Sequence, residues 1–237
     1  FGLTFGIHSR IENRVNDISL RVNAGNIYIN RNQIGAVVGS QPFGGEGLSG
    51  TGPKAGGPNS LHGYSQNLFC SEISNHKITF SNEPIVVQEL LIPTLKLSSE
   101  LLLIIKKALP NVEEEFFEFL YQEVFKYSNE ITLPGPTGES NQLRYKPKGT
   151  VLCLGPEPDV LLKQTLLSLF LGNSVITQIS SKDFDILIEL GLKKENIHRL
   201  NDSPSISLLE SSSYNAVFYF GNSTSLQELI LRSRREL

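Results

Sequence analysis

TVLCLGPEPDVLLKQTLLSLFLGNSVIT, residues 150–177, is the stretch whose reading decides the fold. TVLCL is a short apolar run closed by Gly155 and Pro156, the pattern of a strand buried on both faces. Asp159–Asn173 carries apolar residues too closely spaced for a strand and ends on Gly172, which predicts a helix with a glycine stop. SVIT, Ser174–Thr177, is apolar and β-branched again, a second strand. The alternation continues downstream with a helix over Lys182–Leu190, a weak strand near Ile197–Leu200, a strand over Tyr214–Phe220 and a helix over Ser223–Arg235. Strands separated by ten-odd helical residues indicate a parallel, doubly wound sheet, so the fold class is α/β.

The chain has 237 residues, enough for one or two domains with a buried core. Its formal charge of −3 and pI near 5.9 provide no basic field for a phosphate backbone or an anionic membrane, which argues against nucleic acid as a partner. The longest apolar runs, such as LLLII at Leu101–Ile105, fall far short of the ~20 residues that span a bilayer. No charged segment with an apolar core opens the chain, and a cytoplasmic location is expected. Cys70 and Cys153 show neither disulfide-framework nor zinc spacing. His8, His62, His76 and His198 are scattered without helical ligand spacing, so no metal site is expected. The chain opens at Phe1 and contains no methionine, from which a piece of a longer protein is expected.

Upstream of the sheet, two further regions differ in texture. Residues 1–63 run from GLTFGIHSR through a helix predicted at Glu12–Val22, with Ile11, Val15, Ile18 and Val22 on one face and Ala24-Gly25 as its stop. A strand at Gly25–Asn30 then leads into a long glycine-rich loop. Residues 64–130 form a polar connector with short strands predicted at Lys77–Phe80 and Ile85–Val87, followed by two helices. The first, Ser98–Leu109, is ended by Pro110. The second opens at Asn111 as N-cap and aligns Val112, Phe116, Leu120 and Val124, with the acidic run Glu113–Glu115 in its first turn. The third region, 131–237, holds the sheet.

GAVVGSQPFGGEGLSGTGPKAGGP, Gly35–Pro58, has no helical or strand period. Gly50–Ala55 spells the dinucleotide fingerprint, but that motif must leave a strand and open a helix, and here more glycine and Pro58 follow. Gly47–Lys54 approaches a P-loop. Pro53 displaces the lysine and removes an N–H from the phosphate nest, and no Ser or Thr follows the lysine to meet magnesium. Two readings stay open from the residues alone: a cradle whose free amides meet a small anion or carboxylate, or an irregular turn-rich surface crossing.

IHSR at Ile7–Arg10, GNIYINRNQIGAVVGSQPFGGEGLSGTGPKAGGP at Gly25–Pro58, and Leu61-His62 resemble the end of an aldehyde dehydrogenase catalytic domain. More narrowly, they are similar to the L-glutamate γ-semialdehyde (Δ1-pyrroline-5-carboxylate) dehydrogenase half of the bifunctional proline-utilisation flavoproteins. The resemblance implies that backbone at Gly35 and Ala36 anchors the α-carboxylate of the semialdehyde and that Phe43 packs on its aliphatic chain. It implies a cysteine nucleophile, an oxyanion donor, a glutamate base and NAD as hydride acceptor, with FAD serving the proline dehydrogenase half. In that family the nucleophile lies well upstream of the anchor loop. Cys153, in a buried strand, is not expected to replace it, because burial suppresses the thiolate. Cys70 has no neighbouring base in sequence. Glu46 is the one carboxylate of interest in the loop, and pairing with Lys54 or solvation is its bland reading.

LPGPTGESNQLRYKPKGTVLCLGP and GNSVIT resemble the C-terminal domain of longer members of the same bifunctional family, itself like an aldehyde dehydrogenase nucleotide-binding fold. A working NAD site of that type shows P-W-N after the first strand and V-x-K-P after the second. Here Gly155-Pro156 lead into Glu157 and Pro158, and Val175-Ile176 lead into Thr177 and Gln178. The resemblance therefore implies an incomplete, Rossmann-like domain that does not bind NAD, and no cofactor is expected on this chain alone. The expected whole is a segment of an NAD-dependent semialdehyde dehydrogenase that meets an upstream catalytic segment or chain, binds glutamate semialdehyde and is a possible oligomer. The alternative is a catalytically inactive structural or interaction remnant, or a subunit of a split enzyme.

Overall fold

The computed structural model describes residues 2–50, 52–63, 97–200 and 214–221. The strands predicted at Lys77–Phe80 and Ile85–Val87, the helix at Ser223–Arg235, Cys70 and His76 lie outside the described residues. Residues up to 63 together with Ile131–Leu143 form one unit; those from 97 to Glu130 and from Arg144 onward form a second.

The second unit contains the predicted sheet. Strands β5 (Thr150–Leu154), β6 (Ser174–Thr177), β7 (Ile197–Arg199) and β8 (Ala216–Tyr219) are all parallel, in the order β7-β6-β5-β8. The chain steps outward from β5 to β7 and then returns to the other side of β5, the reversal that defines a doubly wound sheet. Alternate residues of β5 feed opposite faces. Val151 and Cys153 join the larger core with Leu161, Leu162, Leu166, Leu169 and Phe170 of helix α4 (Pro158–Phe170), while Leu152 and Leu154 meet Ile176 on the other face. Each fully buried leucine of this kind contributes about 1.5–3 kcal/mol.

Helix ends follow local chemistry. α4 stops where Gly172, at φ +84°, donates to the Leu169 carbonyl and Asn173 donates to that of Ser168. Helix α5 (Ser181–Glu189) is capped by Ser180, whose hydroxyl oxygen accepts the Asp183 N–H at 3.0 Å, and it closes at Gly191. Helix α2 (Ser99–Ala108) is capped in the same way by Ser98, which accepts from the Leu101 N–H at 3.1 Å.

Helix α3 (Glu114–Ser128) corrects the sequence reading. Its N-cap is Glu113 rather than Asn111. The Val112 N–H closes a turn onto the Leu109 carbonyl at 3.1 Å, so Val112 is buried by that turn before the helix begins. The buried face accordingly runs through Phe117, Leu120 and Val124. Phe116 is half-buried and meets Phe117 edge-on, with ring centroids 5.9 Å apart.

The first unit is a βαβ turn plus a hairpin. β1 (Thr4–Ile7) and β2 (Asn26–Ile29) pair in parallel across helix α1 (Glu12–Arg21), in the register Thr4 to Asn26 and Ile7 to Ile29. Two details differ from the sequence reading. Ile11 stays exposed as the N-cap, leaving Val15 and Ser19 as the buried residues of α1, and the helix already ends at the extended Val22 rather than at Ala24-Gly25. The hairpin pairs β3 (Ile131–Leu133) with β4 (Asn141–Leu143) in antiparallel fashion, its turn tightened by the Glu139 N–H on the Pro136 carbonyl at 3.1 Å.

Candidate functional site

The glycine loop leaves the end of β2 and returns beside the start of the same strand. At its root Asn30 adopts a left-handed conformation, φ +54°, and its side-chain amide exchanges two hydrogen bonds of 2.9 Å with the backbone of Ser9. Asn26 holds the other end. Its Nδ2 donates to the Pro42 carbonyl at 2.8 Å, and its Oδ1 accepts from the Gly44 N–H at 3.2 Å. Gly25 is required by proximity: a Cβ there would lie 1.8 Å from the Gly44 carbonyl oxygen.

Lys54, the lysine of the near P-loop, is an internal clamp. Its ammonium donates to the Gly25 carbonyl, to Asn26 Oδ1 at 3.3 Å and to the Gly44 carbonyl at 3.4 Å. Burial lowers its pKa, and the Glu46 charge partly offsets that. Glu46 thus acts on Lys54 through its field, while its own N–H donates to the Gly2 carbonyl at 2.8 Å. Among the described residues before 64, the dinucleotide match is followed by the single 3-10 turn Ser60–Gly63 rather than by an α-helix.

The return segment Ala55-Gly56 ties Phe43 to the backbone at Gly39. Phe43 and Ala55 exchange N–H to carbonyl bonds at 3.0 and 2.9 Å, and Gly39 donates to the Gly56 carbonyl at 2.8 Å. Phe43 is 39% exposed, open to an apolar contact. Gly35 takes φ +86°, with nothing within 4 Å of where a Cβ would stand. Among the described residues, the amide N–H groups of Gly35, Ala36, Val37 and Val38 have no hydrogen-bond acceptor. Four consecutive exposed amides are donors that a carboxylate or other small anion can use.

Four contacts at this loop were invisible in the sequence. The Tyr28 hydroxyl lies 3.5 Å from the Gly35 carbonyl oxygen, and the Arg31 guanidinium sits 5.4 Å from the Tyr28 ring centroid. Arg31 Nη1 reaches Glu139 Oε1 at 3.2 Å, and Gln41 Nε2 donates to Glu139 Oε2 at 3.0 Å. Asn26 and Lys54 lie inside the recognised motif, where a search for their partners had somewhere to start. Glu139 carried no such signal.

The remaining candidate groups separate cleanly. Cys153 is fully buried, 3.8 Å from the Ser168 hydroxyl, and burial pushes its thiol up to about 11, so it is no nucleophile at neutral pH. His8 and His198 are exposed. At the carboxyl ends of the parallel strands, Thr177 takes the place where an NAD-binding relative would carry lysine. It is buried, with its hydroxyl 2.9 Å from that of Thr165 on α4. Pro158 opens α4 without an N–H, and Glu157 puts a carboxylate at its N-cap. A dinucleotide pyrophosphate needs N–H donors and positive charge at that place, so these residues do not fit NAD.

Comparison with known proteins follows this division of the chain. The aldehyde dehydrogenase family matches residues 1–68. The bifunctional protein PutA of Klebsiella aerogenes is 36% identical over 97% of this chain, which spans 17% of that relative's length. A 1-pyrroline-5-carboxylate dehydrogenase of Bacillus licheniformis is 41% identical over 73 residues, 31% of this chain and 14% of that protein. In fold, the solved structure of proline utilization A from Corynebacterium freiburgense covers 98% of this chain, which covers 22% of that structure, with a TM-score of 0.53 and 24% identity. By its N-terminal family match and its similarity to PutA over 97% of its own length, the chain resembles a segment of a PutA-type aldehyde dehydrogenase.

Proposed function

We propose that this chain supplies the substrate-carboxylate anchor of an NAD-dependent L-glutamate γ-semialdehyde dehydrogenase of proline catabolism, together with an α/β scaffold that takes no part in the chemistry. The run of four unpartnered amides at Gly35–Val38, opened by a glycine at φ +86°, carries the reading. These N–H groups receive the α-carboxylate, and Phe43 offers an aromatic face to the methylenes between carboxylate and aldehyde. Gripping the end remote from the aldehyde fixes the reacting carbon without touching it. The chain's part is therefore selection and orientation. NAD would accept the hydride in the complete reaction, and no step of this chain is routed through it, because the residues at the carboxyl ends of its parallel strands do not fit that cofactor.

A second reading is favoured by the surface of the same loop. Val38 and Leu48 are 85% and 92% exposed, with Ile34 and Val37 also open. Such a surface suits contact with a polypeptide that carries the nucleophile, as in a split enzyme.

Titrating the 15N-labelled chain with L-glutamate, which bears the same α-carboxylate as the semialdehyde, tests the anchor. The amide signals of Gly35 to Val38 are expected to move with glutamate and to stay still with sodium chloride at equal ionic strength. Stationary signals at millimolar glutamate would overturn the reading.

A further inference from the structure

We propose that Glu139, at the turn of the β3–β4 hairpin, is a positioning residue for the anchor loop, one carboxylate that fixes both of the loop's legs. The inference rests on the anchor reading of Gly35 and Ala36. Oε1 takes Arg31 on the entering leg at 3.2 Å, and Oε2 takes Gln41 on the leaving leg at 3.0 Å. Each leg passes the constraint inward. Arg31 lies against the Tyr28 ring, whose hydroxyl approaches the Gly35 carbonyl, and the Gln41 N–H closes on the Val37 carbonyl at 2.7 Å. The amides between these two points have no hydrogen bonds of their own among the described residues, so their direction is set by the legs.

An exposed ion pair contributes little to global stability, and Arg31 and Glu139 keep 32% and 36% of their side-chain surface. The importance of this one is local. Two charge-strengthened bonds to one rigid carboxylate fix the separation of residues ten apart in the chain, and pre-organised donors bind more tightly than mobile ones. The hairpin supplies the rigidity through its antiparallel pairing and the Asn141 side chain on the Pro134 carbonyl at 3.2 Å.

Glu139→Ala and Glu139→Gln in the full chain test this with two readouts. In Glu139→Ala the 15N order parameters of Gly35 to Val38 are expected to fall, and glutamate binding to weaken about three- to tenfold, with no shift in the thermal midpoint. Glu139→Gln keeps one acceptor oxygen, puts an NH2 donor in place of the other, and is expected to fall between. The exchanged pair Arg31→Glu with Glu139→Arg is expected to recover order at the Gln41 leg, since Gln41 Oε1 is buried without a donor and can accept from an arginine at 139, but not at the Tyr28 leg, where the guanidinium is lost. Unchanged order parameters in Glu139→Ala would overturn the inference, as would unchanged glutamate affinity in Glu139→Ala where the wild-type chain binds. A wild-type chain that ignores glutamate sinks the anchor reading instead, and the order parameters alone then decide whether Glu139 holds the loop.

Discussion

The glycine loop and the carboxyl ends of the parallel sheet are both places where backbone amides are expected to meet a ligand, and the two are finished in opposite ways. At the loop, donors are left free: Gly35 to Val38 point no N–H at any acceptor among the described residues. At the sheet, donors are consumed internally or missing, and the one acceptor left over, Gln164 Oε1, is buried away from solvent. Thr177 pairs with Thr165, Gln164 reaches the Leu154 carbonyl at 3.4 Å, and Pro158 has no N–H to offer. A binding fold is thus distinguished from a scaffold of the same fold by what its strand ends leave unspent.

The largest expected effect separates two glycines of the loop region. Gly25→Ala places a methyl 1.8 Å from the Gly44 oxygen, backbone against backbone, and is expected to cost the first unit about 3 kcal/mol or more. Gly35→Ala meets no atom and pays only for its positive φ, about 1–2 kcal/mol, while glutamate binding is lost. Urea unfolding followed by the amide signals of each unit separately checks both. Equal costs at the two positions would break the distinction between a packing glycine and a presenting one.

The legible and illegible parts of the molecule divide by how local their causes are. TVLCL and SVIT announced themselves because strands buried on both faces are apolar throughout, and the helix between them carried a glycine stop at Gly172. The hairpin strands did not: three residues each, half-buried and alternating with exposed Thr132 and Gln142, they offer no run to detect. The N-cap of α3 was misplaced for a related reason. Asn111 is the better capping residue, but burying Val112 in the preceding turn outweighed about 1 kcal/mol of cap preference. At the site, the loop was visible as composition and Gly35, Ala36 and Phe43 as a family motif. Glu139 was not, since 108 residues separate it from Arg31.

A second, smaller effect probes the closed half through Cys153. Its thiol is pushed from an ordinary value of 9.0 up to about 11 by desolvation, so the folded state holds its proton where the unfolded state has lost it. The unfolded chain binds fewer protons between those two values, and stability falls as pH rises through them. The contribution is complete below pH 9 and about 2–3 kcal/mol of it is gone near pH 11. Comparing the pH dependence of urea midpoints for wild type and Cys153→Ala isolates this thiol from tyrosines and lysines that titrate nearby. Parallel curves would mean that the thiol is open to water.

The smallest effect tests whether the sheet ends are closed by the hydroxyl pair itself. Thr165 bonds both the Leu161 carbonyl at 2.7 Å and Thr177, whereas among the described residues the Thr177 hydroxyl meets Thr165 alone. Thr177→Val therefore leaves Thr165 satisfied and is expected to cost about 1 kcal/mol or less. Thr165→Val orphans a hydroxyl that has no exposed surface and is expected to cost more, about 1–3 kcal/mol. The double variant is expected to be less destabilised than the sum, because removing both hydroxyls leaves nothing buried and unpaired. Calorimetric NAD titrations are expected to stay flat in all three variants, since Pro158 and Glu157 still deny the pyrophosphate its donors. Heat of NAD binding appearing in Thr177→Val would show instead that the hydroxyl pair alone had been keeping the site shut.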